Sequence, residues 1–268
     1  MYVDEGYNPQ GDGGNLKFAV KINVYGKDGL SMEDRMMRTA GSEDFHSNEY
    51  MEKVTCIVTK GDTVIPEGVI ESWDISEKQN GSVIAYAEDD GTGSGTYKVT
   101  IGGEGKIIAN YDMSRYFSGF TNCTSIDLAY LDTSLTTNMT MMFGGLNPNT
   151  KLNKIIFGND FHTSNVTNMM MMFSELENLI ELDLSSFNTS NVTNMYAMFW
   201  NCSKLESLNI NRFDTSNVTT MQQMFNRCQS LTELDLSNFD TSNVTNMSQM
   251  FRHCDNLTEL DLTSFDTS

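Results

Sequence analysis

Residues 214–239 read DTSNVTTMQQMFNRCQSLTELDLSNF, and residues 188–213 (NTSNVTNMYAMFWNCSKLESLNINRF) and 240–265 (DTSNVTNMSQMFRHCDNLTELDLTSF) repeat them in register. Aligning outward on Phe117, Phe143, Phe173, Phe199, Phe225 and Phe251 gives intervals of 26, 30, 26, 26 and 26 residues. A fixed period of this length marks units that stack, because no single unit can bury its own Leu, Met and Phe side chains. The long interval contains GGLNPNTKLNKIIFGND (144–160), in which a proline-containing insertion before Leu152 and one extra residue before Phe161 add four residues in loops.

Within each unit the pattern LxxLxL ends in two alternating apolar positions, as at Leu179/Leu182/Leu184, Leu205/Leu208/Ile210, Leu231/Leu234/Leu236 and Leu257/Leu260/Leu262. That alternation reads as a short strand. Upstream, Met195, Met198 and Phe199 fall at i, i+3 and i+4, one face of a helical turn. The expected fold is therefore an α/β repeat solenoid of leucine-rich-repeat type, with one short parallel strand and one short helical turn per coil and six strands in one sheet. A β-rich N-terminal region precedes it. The expected units are residues 1–66, a small β-rich module; 67–112, a lead-in or cap; and 113–268, the solenoid of about six coils. In the lead-in, VIAYA and YKVTI flank a Gly-rich turn and read as a hairpin. In the first module LKFAVKINVYG and EKVTCIVTKG alternate around the helix-compatible SMEDRMMRTAGSEDFHSNEYM.

Lys and Arg number 17 against 36 Asp and Glu, a formal net charge of -19. Such a field repels phosphate backbones and anionic lipid, so nucleic acid is excluded as a partner. No run of about eighteen apolar residues exists, so no direct membrane insertion is expected. The opening MYVDEGYNPQ lacks the organisation of a secretory signal, which leaves an intracellular protein or one whose export segment has been removed. Cys202, Cys228 and Cys254 recur with the period and belong to the repeat, not to a disulfide framework, and no CxxC pair supports a zinc site.

The consensus LDLSxFDTSNVTNMxxMFxxCxxL resembles the repeat of BspA-like leucine-rich surface proteins of bacteria, over about 155 residues. The resemblance implies an exposed or secreted protein that adheres to a host or microbial surface protein or glycan.

Catalytic constellations test poorly. His46, His162 and His253 are the three histidines, and His253 beside Cys254 has no orienting third group. Gly91, Gly93 and Gly95 imitate a phosphate loop, but the strand-like TYKVTI follows where a helix would be needed. Glu33, Asp34, Glu43, Asp44 and His46 could supply acid-base groups in the first module, with nothing to order them. The Asn-Val-Thr sequons at Asn165, Asn191, Asn217 and Asn243 recur because the turn recurs, and Asn188, Asp214, Asp240 and Asp266 open each unit as turn residues.

Two surfaces are candidates for partner binding. If Leu182 and Leu184 point inward, Glu181 and Asp183 point outward, as do Glu233/Asp235 and Glu259/Asp261, with Ser207/Asn209 between. This acidic stripe is a solvated face, a docking surface for a basic partner, or a Ca²⁺ site; otherwise no cofactor is expected. Beside the core Met-Phe pairs, Met141, Met170, Met171, Tyr196 and Trp200 in early units give way to Gln222, Gln223, Arg227, Gln249 and Arg252 later, which marks an apolar patch. Tyr196 and Trp200 join the six carboxylates as contact candidates. The expected function is a non-enzymatic surface recognition or adhesion module acting through the solenoid face; the alternative is a spacer or assembly component. The array stops at Phe265-Asp266-Thr267-Ser268 with the Leu260, Leu262 and Phe251 layer uncapped, so self-association through that coil is a further expectation.

Overall fold

The computed structural model describes residues 45–46, 48–144 and 151–266. LKFAVKINVYG, the carboxylates at Glu33, Asp34, Glu43 and Asp44, and the insertion around Pro148 lie outside the described residues. A single α-helical turn, α1 (Asn48–Met51), is the only helix among them. Ten strands follow: β1 (Val54–Lys60), β2 (Glu71–Asp74), β3 (Val83–Asp89), β4 (Tyr97–Gly103), β5 (Ile107–Ile108), β6 (Ser125–Leu128), β7 (Leu131–Asp132), β8 (Lys154–Phe157), β9 (Glu181–Asp183) and β10 (Ser207–Asn209).

A mixed six-stranded sheet runs in the order β2-β3-β4-β1-β6-β8. β3 and β4 pair antiparallel, Ala85 opposite Ile101, across a turn whose Gly91, Gly93 and Gly95 all have φ near +70°. That left-handed backbone is open to glycine at little steric cost. β1 lies between β4 and β6, parallel to both, so Ile57 faces Val99 on one side and Ile126 on the other. Ile57, Val99 and Ile126 are buried, which makes one continuous core from the hairpin into the first repeat. The lead-in is also clasped through β5, which pairs with β7, and through Lys106, whose ammonium contacts the nearly buried Asp132. Burial alone would raise the Asp132 carboxyl, but hydrogen bonds from Lys106 and Ser134 reverse that and hold it below its ordinary value. A depressed carboxylate contributes stability that is present above about pH 4 and lost as pH falls through its folded value. Lys106→Met is expected to cost about 1–2 kcal/mol at pH 7, and urea unfolding should show this gap closing below pH 4.

The repeats do not contain helical turns, which overturns the expected α/β leucine-rich-type solenoid. In four successive units the residue before the second Met of Met-x-x-Met-Phe and the residue two after the Phe have positive φ: Met171 (54°) and Glu175 (63°), Ala197 (51°) and Asn201 (60°), Gln223 (60°) and Arg227 (65°), Gln249 (61°) and His253 (61°). A left-handed residue ends right-handed helix propagation. Its amide instead points along the stack: Met171 donates to Tyr196 O at 2.9 Å, Ala197 to Gln222 O at 2.9 Å and Gln223 to Ser248 O at 3.0 Å. Between these, Met198 closes a turn on Met195 O and Cys202 on Phe199 O. Paired turns thus bring Met195, Met198 and Phe199 inward at the same i, i+3, i+4 spacing that a helix would use, so the sequence pattern could not tell the two apart.

Successive coils are held by backbone and side-chain ladders. Parallel bridges link Asp112, Asn138, Asn168, Asn194, Thr220 and Asn246. The rings of Phe117, Phe143, Phe173, Phe199, Phe225 and Phe251 stack with centroids 5.5–5.8 Å apart and nearly parallel planes. The buried Thr of each DTS segment clasps the next coil twice. Thr189 Oγ1 donates to Asp214 O at 2.8 Å and accepts from Asp214 N at 2.8 Å. Thr163 treats Asn188 the same way, and Thr215 treats Asp240. Because the partner groups are main-chain, His162, Asn188, Asp214 and Asp240 can all occupy the receiving position.

A single six-stranded parallel repeat sheet is also absent. β6 and β8 belong to the mixed sheet, β9 and β10 form a separate pair, and residues 233–235 and 259–261 are not strands. Apart from α1, the described residues form β-sheet and turn.

Candidate functional site

The break between β8 and β9 opens a groove, and its cause lies in the 30-residue unit. Phe157 occupies the position held by Leu184 and Ile210 in later units. Its larger ring lies 4.7 Å from Phe161, 5.1 Å from Phe187 and 6.0 Å from Phe143, centroid to centroid. The coils remain joined at the Asn138-Asn168-Asn194 ladder and at Phe161-Phe187, 5.7 Å apart. They part on the strand side, where β8 and β9 are not paired.

The resulting open groove has a volume of about 1290 Å³ and crosses β8, β9 and β10. Ile156 and Ile180 face it, 37% and 52% exposed, which is unusual for isoleucine beside a well-packed core. Lys151, Lys154 and Lys204, the three lysines between residues 113 and 268, all line it. Among the described residues neither Lys151 nor Lys154 forms an ion pair, and Lys204 Nζ donates to Asn178 Oδ1 at 2.8 Å. In a chain of net charge -19 the groove gathers all three of these lysines beside two exposed isoleucines, against the carboxylates of Glu181 and Asp183.

Of the residues singled out from sequence, Glu181 and Asp183 line the groove. They pair in register with Ser207 and Asn209 of β10. Glu233, Asp235, Glu259 and Asp261 are exposed on later coils, outside the strands and outside the groove. The aspartates of this stripe serve the backbone: Asp183 accepts from Ser185 N at 3.0 Å, Asp235 from Ser237 N at 3.0 Å and Asp261 from Thr263 N at 2.9 Å. Those bonds hold the three carboxyls below the usual range. Among the described residues no three His, Cys, Asp or Glu side chains are placed to hold a metal ion. Tyr196 and Trp200 are half-buried elsewhere, packed with Met170 over a small separate cluster of Met141, Met171 and Ala197. Tyr196 donates its hydroxyl to Gln223 Oε1 at 3.1 Å.

The thiols are spent on packing. Cys202, Cys228 and Cys254 each donate to the carbonyl of the Phe in the preceding coil, at 3.1 Å. Burial pushes Cys202 up to about 12 and Cys254 to about 11, far from the thiolate that a nucleophile needs. The sequon asparagines are likewise engaged: Asn191 Nδ2 donates to Ser164 O and Asn217 Nδ2 to Ser190 O, both at 2.7 Å. His46 is buried against Phe45 and Tyr116, with Nε2 3.0 Å from Tyr116 O.

Sequence reasoning missed Ile156, Ile180 and the three lysines. A signal existed, since all of them depart from the repeat consensus and the lysines cluster in an acidic region, but their convergence depends on the broken sheet.

Comparison with known proteins agrees with the structure in setting aside the leucine-rich resemblance. No curated protein and no solved structure matches the chain. The family model that does match is described as "Mycoplasma protein of unknown function, DUF285", over residues 111–211 and 203–268. The BspA-like assignment is thereby corrected: the matched family is a different one, and repeats without helices do not have leucine-rich-repeat geometry. Adhesion through a continuous solenoid face, and the spacer alternative built on the same solenoid, lose their premise with it. With more than half of its length matched, the chain belongs to the DUF285 family.

Proposed function

We propose that this protein is a non-catalytic binding protein whose site is the groove over β8, β9 and β10, and that the ligand is a segment of another protein. The observation that carries the reading is the coincidence, at the unpaired junction between β8 and β9, of two exposed isoleucines with every lysine of the repeat region. Small-molecule sites are enclosed and run to about 1,000 Å³; this groove is larger and open, and suits a length of polypeptide. A protein fits better than a glycan because no Tyr or Trp lines the groove to stack on a sugar ring. The buried, protonated thiols support a role without covalent chemistry.

The test is selection of a displayed random-peptide library on the immobilised full chain, counter-selected on the Ile156→Ser/Ile180→Ser variant. Both positions are exposed, so an unchanged melting temperature certifies the variant. Sequences enriched at least tenfold on the unmodified chain over the variant are expected. Equal recovery on the two proteins sinks the reading.

A further inference from the structure

We infer that the groove takes an extended polypeptide strand that pairs through its main chain with the free edge of β9, with an acidic residue toward one end and a basic residue toward the other; this rests on the reading of the groove as a binding site. β9 is joined to β10 through the residues that flank it: Ile180 O accepts from Glu206 N at 2.8 Å, and Leu184 N donates to Asn209 O at 3.0 Å. In a strand the N–H and C=O of one residue point the same way, and successive residues point theirs to opposite sides. The main-chain groups of Glu181 and Asp183 therefore point away from β10, toward β8. Among the described residues no strand pairs with β9 on that side, and β8 pairs with β6 alone. Glu181 and Asp183 both line the groove, so this free edge runs along it. A row of unpaired strand groups is a template for another chain.

The groove has room for such a strand. Six extended residues run roughly 20 Å, take roughly 4.8 Å of sheet width and stand roughly 10 Å thick, on the order of 1,000 Å³ against about 1290 Å³ in the groove. Ile180 and Ile156, both exposed, give apolar surface to its side chains. The charges of the lining run in order. Lys151, Asn178 and Lys204 each stand directly before the leucine that leads into a strand, namely Leu152, Leu179 and Leu205. Asp183 closes β9 and is followed in the lining by Ser185 and Ser186. Between these ends Lys154 and Glu181 hold equivalent positions, two residues after the leucine, with opposite charge. The end where the strands begin is thus basic, and the end where β9 finishes is acidic. A strand with its carboxylate at the first and its cation at the second is held at both ends. A run of one charge meets its like at one end.

The experiment follows amide hydrogen exchange of the full chain with and without a peptide taken from the library selection. The amides of Glu181 and Asp183 are expected to exchange freely in the protein alone and to slow at least about tenfold when the peptide is bound. The same peptide is then made with N-methyl groups on its odd or on its even residues. One version is expected to lose binding at least about tenfold and the other to stay within about threefold, because only alternate amides of a strand face β9. Lys151→Glu/Lys204→Glu is expected to weaken the unmethylated peptide about tenfold, with binding restored when the peptide's acidic residue is changed to lysine. Equal binding of the two methylated versions, unchanged exchange at Glu181 and Asp183, or a double variant that binds as before overturns the inference and leaves the groove reading standing. A concentration-dependent dimer that slows the same amides without peptide assigns the edge to a second copy and overturns it as well. If the library yields no groove-dependent sequence, both readings fall.

Discussion

Thr189→Val destabilises the protein by about 2–4 kcal/mol, although the substitution conserves shape and adds apolar surface at a fully buried position. The hydroxyl is the sole feature lost. It donates to Asp214 O and accepts from Asp214 N, each at 2.8 Å, and Val leaves both main-chain groups of the next coil without a partner. Each unsatisfied group costs about 1–3 kcal/mol. Thr189→Ser retains the hydroxyl and is expected to stay within about 1 kcal/mol of the original protein. Urea unfolding of the two variants distinguishes this clasp from simple packing: if Val is tolerated as well as Ser, the hydroxyl does not hold the coils together. Because contacts pass only between neighbouring coils, hydrogen exchange should quicken first in the coils on either side of residue 189.

Ala197→Pro has the larger expected effect, about 3 kcal/mol or more, and it separates the turn ladder from a helix in combination with Ala197→Gly. Ala197 has φ of 51° and donates its amide to Gln222 O at 2.9 Å. Proline cannot reach that φ and has no amide to give. Glycine relieves roughly 1 kcal/mol of left-handed strain, which offsets its greater unfolded-chain entropy and the lost methyl, and a net change within about 0.5 kcal/mol is expected. In a helical turn the same glycine would cost about 1 kcal/mol. Thermal unfolding of both variants is the measurement. A glycine variant that is clearly weakened would contradict the left-handed geometry.

The repeat itself was legible at every level that periodicity controls. Phe117 through Phe251 line up in one stack, and the methionines and cysteines that recur with them are buried on the same spine except in the last coil, where Met247 and Cys254 are half-buried. The helical turn was misread because Met195, Met198 and Phe199 satisfy a period that two different backbones can produce. Ala, Gln and Met carry no composition signal for positive φ, unlike Gly or Asn. The clasping role of Thr189 and its counterparts was not legible in the same way, since it needs a neighbouring coil to exist.

The candidate site was legible only in part. Glu181 and Asp183 were found from the alternation in the strand, and they lie in the groove. The aspartate at the end of that alternation is used to close a turn, a local interaction with Ser185 that the outward-facing pattern did not reveal. Tyr196 and Trp200 stood out as apolar residues at varying positions, and they pack over Met141 and Met171 with Met170.

By itself the sequence determined which residues are equivalent from unit to unit, which of them are apolar and therefore share the core, and that the chain carries a strongly acidic field. Tertiary structure alone decided the backbone that connects those residues and the place where the ladder breaks. The physical reason is that a repeat period records which side chains return to the same environment, whereas the direction of an amide, and the gap opened by one Phe wedged between coils, are set only when those coils pack against one another.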